Sequence, residues 1–194
     1  MKKYELTEET KVIDGKTLFR IRALRSFGDI KAGDLGGFIE NERNLSHEDN
    51  AWVSGNAKVI DNARVSDNAL VSGETWVGGN ARVDGNARVG DNAQVGGNAQ
   101  VGGDAWVDGD AWVNGDGLIN SNNDYLCEKG LGSHNRSASF FKCKDGHIHV
   151  LCGCFSGNLD EFENKVKEEH GNSKYAKEYL GFIEVVKTHF EVRQ

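Results

Sequence analysis

The sequence predicts a mainly β fold: a parallel β-helix at the centre, an N-terminal β cap, and a small C-terminal α+β domain of ββαα order. Three observations carry this prediction. A six-residue period starts at Ala51, an alternating segment surrounds Asp14-Gly15 before it, and a hairpin pattern with two helical stripes follows it. The expected divisions are a cap over 1–50, the repeat over 51–122, a linker over 123–136 and the C-terminal domain over 137–194.

The repeat is the strongest signal. From Ala51 the chain reads AWVSGN, AKVIDN, ARVSDN, ALVSGE, TWVGGN, ARVDGN, ARVGDN, AQVGGN, AQVGGD, AWVDGD and AWVNGD, and Gly117-Leu118-Ile119-Asn120 opens a degenerate further hexad. Val holds the third position in all eleven, and Ala the first in all but the one that has Thr75. Residues two apart on a strand point the same way, so Ala and Val face inward together. Gly or Asp at the fifth position and Asn, Asp or Glu at the sixth suit a sharp corner with positive φ. Such coils stack through strand hydrogen bonds about 4.8 Å apart, and they are stable only as a capped array.

The pattern Val-x-(Gly/Asp)-Asn-Ala-x resembles the hexapeptide repeat of left-handed β-helices, whose triangular coils take three hexads each. That resemblance implies the handedness and about four or more coils. It also sorts the outward second positions into three ladders: Trp52, Leu70, Arg88, Trp106; Lys58, Trp76, Gln94, Trp112; and Arg64, Arg82, Gln100, Leu118. The apolar members invite a partner. Trp52, Leu70, Arg88, Trp106, Trp76 and Trp112 are therefore the expected interface of a homo-oligomer, a dimer or trimer. Asn and Asp at the corners are expected to form ladders along the axis, from Asn56 to Asp116.

Many proteins of that class are acyltransferases that use a histidine as general base. Here no histidine lies in the hexads; His47 and His134 are the candidates outside them. A binding or assembly role is expected over the enzyme, and no cofactor is expected.

Before the repeat, Lys11–Thr17 and Leu18–Arg22 alternate about Asp14-Gly15, a hairpin signal. Lys11, Arg20 and Arg22 are expected on one face and, with Arg88, are candidate ligands for an anion. The segment Arg22-Ala23-Leu24, then Gly33-Asp34-Leu35-Gly36-Gly37-Phe38-Ile39-Glu40, resembles the N-terminal part of YdcK-type bacterial proteins and of phage or prophage β-helix proteins.

After the repeat, Ser137–Lys144 and His147–Phe155 read as a hairpin about Asp145-Gly146. A two-residue turn there places Phe141, Cys143, Ile148, Val150, Cys152 and Cys154 on one face, with His147 and His149 on the other. Mixed Cys/His ligation is then not expected, and no metal is; Cys127, Cys143, Cys152 and Cys154 are the only thiolate set to consider. Leu159, Phe162 and Val166 mark one helix ending at His170-Gly171. Tyr175, Tyr179, Phe182, Ile183, Val186 and Phe190 mark a second. Cys152-Gly153-Cys154-Phe155 through Phe162, His170-Gly171 and Glu178-Tyr179-Leu180 resemble a small C-terminal domain of phage-encoded proteins, over about residues 137–190.

The net charge of -7 divides as -1, -5 and -1 over residues 1–50, 51–122 and 123–194. An acidic centre opposes nonspecific nucleic-acid binding. No apolar run approaches the span of a bilayer, and Met1-Lys2-Lys3-Tyr4-Glu5 lacks a secretory apolar segment, so a cytoplasmic location with free thiols is expected. The phage resemblance implies an accessory protein that binds a host-defence component. It would act as an acidic nucleic-acid mimic or as a sponge for a small nucleotide; an acyltransferase of the hexapeptide-repeat class and a structural scaffold are the alternatives.

Overall fold

The computed structural model describes residues 2–192. Two strands, β1 (Tyr4–Ile13) and β2 (Lys16–Ala23), pair antiparallel about Asp14-Gly15. Both turn residues have positive φ, 50° and 77°, the two-residue geometry that matches strand twist. β3 (Leu35–Ile39) pairs antiparallel with β2 and parallel with Lys58–Val59. Parallel stacking therefore begins at Phe38, within the segment the sequence assigns to the cap.

Twelve two-residue strands follow, β4 (Trp52–Val53) to β15 (Leu118–Ile119), each at positions two and three of a hexad. Every parallel pair among them joins residues eighteen apart, as in Arg88↔Trp106 and Gln94↔Trp112. Eighteen residues are three hexads, so three sheets run along the axis, and the longest holds five parallel rungs from β3 to Trp112–Val113. This is a parallel β-solenoid of about five turns. The third-position Val residues and the Ala residues preceding them are buried throughout, and Thr75 satisfies its buried hydroxyl on the Ser72 carbonyl at 2.5 Å.

All eleven fifth positions adopt positive φ, whether Gly or Asp. Where Asp stands, it serves the next corner: Asp61, Asp67 and Asp91 carboxylates accept the amides of Gly79, Gly85 and Gly109. The sixth-position amides form the expected ladders, Asn62 to Asn80 to Asn98 to Asp116 at 3.0–3.3 Å.

The stack has a polarity, which explains the chemistry of its two ends. Each coil donates N–H groups to carbonyls of the next, as Leu70 N–H does to Ala87. The first coil thus leaves carbonyls without donors and the last leaves N–H groups without acceptors. At the first end the donors are Lys3 Nζ, to Ala51 O at 2.7 Å and Glu48 O at 3.1 Å, and Asn44 Nδ2, to Ala63 O at 2.8 Å. At the last end the acceptors are Asn122 Oδ1, for the Trp106 amide at 2.7 Å, and Ser139 Oγ, for the Trp112 amide at 2.9 Å. Ser139→Ala is expected to cost about 1–2 kcal/mol by orphaning a partly buried N–H, measured by urea denaturation; an unchanged midpoint would count against this capping role.

The C-terminal sheet has four strands, two more than the ββαα pattern: β16 (Tyr125–Leu131), β17 (Arg136–Lys142), β18 (Ile148–Cys152) and β19 (Phe155–Asn158), in that order. β16 occupies residues read from the sequence as linker. Helices α1 (Leu159–His170) and α2 (Lys174–His189) follow, near their expected limits. Asn158 and Glu161 cap α1 reciprocally. One face of this sheet packs on the helices through Phe140, Val150, Phe162 and Ile183, while the other sends Phe141 and Leu151 into the solenoid core. Among the described residues no helix is long and apolar enough to cross a membrane.

Candidate functional site

The three outward ladders form as the spacing predicts. Trp52, Leu70, Arg88 and Trp106 are consecutive rungs of one sheet, and Lys58, Trp76, Gln94 and Trp112 of another. Their exposure is not uniform. Trp52 is buried, its ring edge-on to Tyr4 and Phe27, because the N-terminal segment folds over it. It is therefore not available to a partner, a correction to the expected interface. Trp76 is half-buried and packs beside Leu18, Phe38 and Ile60. Trp106 and Trp112 remain 55 % and 41 % exposed, on adjacent sheets either side of the Asp108-Gly109-Asp110 corner. Leu70 is half-buried and Arg88 exposed.

Of the four candidate anion ligands, Lys11 and Arg20 come together over the Phe38 ring, but the four do not form one cluster. Arg22 is paired with Glu5 and Arg20 with Glu9. Lys11 lies over the Phe38 ring, 4.1 Å from its centroid, and Arg88 belongs to a different sheet. His47 is part of the cap: it stacks on Tyr4 with centroids 4.2 Å apart, and its Nδ1 accepts the Lys3 amide at 3.2 Å. His134 sits in the exposed turn before β17, against Ser133.

The largest departure lies at the β17–β18 turn. Cys143 N–H donates to His147 O, and the register Lys142↔Ile148 leaves three residues, Lys144, Asp145 and Gly146, in the loop. Only Gly146 has positive φ, 89°, which fits a type I turn followed by a glycine bulge. The added residue shifts the pairing by one and exchanges faces on one strand. Phe141 now opposes His149, and Phe140 opposes Val150. Cys152 consequently faces the helices, while Cys143 joins the solenoid side. The four-thiolate set is split by the sheet.

The same shift assembles a group that the two-residue turn excludes. Ligating atoms of Cys143, His147 and His149 all lie within 4.8 Å of one another. His147 Nδ1 is 2.5 Å from Asp145 Oδ1, and His149 Nε2 is 3.0 Å from Ser156 Oγ. The two remaining ring nitrogens, His147 Nε2 and His149 Nδ1, face each other at 3.5 Å. A cavity of about 700 Å³ lies alongside, lined by both imidazoles, Asn158 and Glu161. Burial, then the neighbouring His147, holds His149 below the usual imidazole range, which favours its neutral form. Burial, then Asp145 and Asp116, pushes the Cys143 thiol up to about 11.

A family model for the YdcK β-solenoid repeat matches residues 63–79, just under one coil. The chain is a β-solenoid repeat protein. The match lies wholly within the solenoid, on the coil that carries Arg64, Leu70 and Trp76, so what it describes is the scaffold. No curated protein matches the chain.

Proposed function

We propose that this protein is a non-enzymatic binding protein that assembles with itself through the outward faces of the last coil of its solenoid. One observation carries the reading: Trp106 and Trp112 stay open while, on earlier rungs of the same ladders, the chain's own N-terminal segment buries Trp52 and packs against the half-buried Trp76. The fold thus shows how an outward indole on these sheets is satisfied, and a second copy supplies at Trp106 and Trp112 what the N-terminal segment supplies at Trp52. Aromatic side chains are the usual anchors of such contacts. Replacing Trp106 and Trp112 together by Ser is expected to reduce the mass measured by light scattering from that of a dimer or trimer to that of one chain. Wild-type protein that already runs as a monomer overturns the proposal.

The partner beyond itself follows from charge. The coils carry -5, and their corners bring Asp104, Asp108, Asp110 and Asp116 to the surface of the last turns. A regular acidic rod suits a basic groove of a host protein, as a nucleic-acid mimic would, and this is the form in which a phage accessory role fits. The nucleotide-sponge form has less support, since Arg20 and Arg22 are already paired. The acyltransferase form loses His47 to the cap, where it holds Lys3 and Tyr4.

A further inference from the structure

We propose that Cys143, His147 and His149 form a binding site for a thiophilic divalent transition metal of the zinc class. The argument rests on how each donor is presented. A histidine that ligates a metal through one ring nitrogen usually has the other held by a carboxylate, carbonyl or hydroxyl, which fixes the ring. Both imidazoles show this: Asp145 holds Nδ1 of His147 and Ser156 holds Nε2 of His149. The nitrogens left free are the two that face each other, at 3.5 Å. Two nitrogens bound tetrahedrally at about 2.0–2.1 Å from zinc stand roughly 3.3 Å apart, so the pair needs little adjustment. Cys143 adds a sulfur within 4.8 Å of one ring nitrogen of each histidine.

One thiolate with two imidazoles is a borderline-soft donor set, which selects zinc, cobalt or copper over magnesium and calcium. On binding, the Cys143 proton leaves to solvent and the sulfur takes its place on the metal. The ion's charge offsets the repulsion that Asp116 and Asp145 exert on that thiolate. Three protein ligands leave the fourth position of a tetrahedral ion to water. The location gives the metal a structural consequence. Cys143 bridges to Gly117 and Lys144 N–H donates to Asp116 O, so this turn is where the C-terminal sheet meets the last coil. A bound ion fixes that junction.

The alternative is a plain His147–His149 hydrogen bond with a buried thiol nearby, and Co²⁺ distinguishes the two. Titration of the full-length protein with Co²⁺ alone is expected to produce a thiolate charge-transfer band and tetrahedral d–d bands, saturating at one equivalent and displaced by Zn²⁺. The band is expected to disappear in Cys143→Ser and to persist in Cys154→Ser, whose thiol is exposed. Because Cys143 is buried, His147→Ala supplies an exposed variant with little risk to folding. It is expected to weaken cobalt binding by at least about tenfold, and Asp145→Asn by about 10–100-fold through the lost orientation of His147. The proposal is overturned if no band forms, or if the band survives both Cys143→Ser and His147→Ala.

Discussion

Gly73→Ala is expected to destabilise the protein by about 2–5 kcal/mol, although it adds a single methyl group to a surface corner. Gly73 has φ +71°, where a side chain costs about 1–2 kcal/mol. Its Cβ would point along the axis into the next corner, 2.5 Å from Asp91 O, 2.9 Å from Asp91 N and 3.0 Å from Asp91 Cα. These are backbone atoms held by the ladder, so relief requires two coils to part, at a further cost of about 1–3 kcal/mol. Gly115→Ala separates the two contributions. That residue has φ +60° on the last coil, and nothing lies within 4 Å of the added Cβ. It is expected to lose only the conformational share. Urea denaturation of both variants measures the difference; equal losses would show that coil stacking does not constrain the corner.

The corner rule also explains which parts of the fold were readable in the sequence. Val at every third position and Gly or Asp at every fifth leave one frame for the chain, so the ladders and their members follow directly. The eighteen-residue coil came from the family resemblance, and the pairing of Arg88 with Trp106 bears it out. Burial of the outward residues was not readable, because it depends on where a distant segment docks. Trp52 and Trp106 hold identical hexad positions, yet Phe27 and Tyr4 cover only the first. The start of the stack was hidden for a related reason: Gly36-Gly37-Phe38-Ile39 carries no Ala-x-Val signature. Its glycines are required by contact with the first coil instead, a Cβ on Gly37 falling 2.7 Å from Ala57 O.

The metal-site candidate was missed through one turn. Asp-Gly stands at both hairpin turns, residues 14–15 and 145–146, and the two turns fold differently. Asp14 takes positive φ and makes a two-residue turn. Asp145 does not, and its carboxylate instead accepts the amide and approaches the ring of His147. The dipeptide is compatible with both forms, and a one-residue change in loop length reverses which side chains share a face. The Cys/His cluster is a direct consequence of that parity.

Raising the pH from 7 to 9 is expected to stabilise the wild type relative to Lys3→Met by about 1.4 kcal/mol, which traces to the donor-only cap on the first coil. Lys3 is buried, and its ammonium is held by Ala51 O and Glu48 O beside the Phe27 ring, 5.0 Å from its centroid. Burial, and then the Arg25 guanidinium, lowers its pKa from 10.5 to about 8. A folded-state pKa below the unfolded one means that the unfolded chain binds more protons between pH 8 and 10.5, so stability rises with pH in that window. The neutral amine still donates to the same carbonyls. Cys143 and Tyr4 act oppositely: burial raises both, so the folded state holds their protons longer and stability falls above about pH 9 and pH 10 respectively. Those two contributions are common to wild type and Lys3→Met and cancel in the difference. Denaturation midpoints of both proteins at pH 7, 8 and 9 measure it. A difference that stays flat across the series would mean that the Lys3 amine reaches solvent and that the first coil's carbonyls are capped by water.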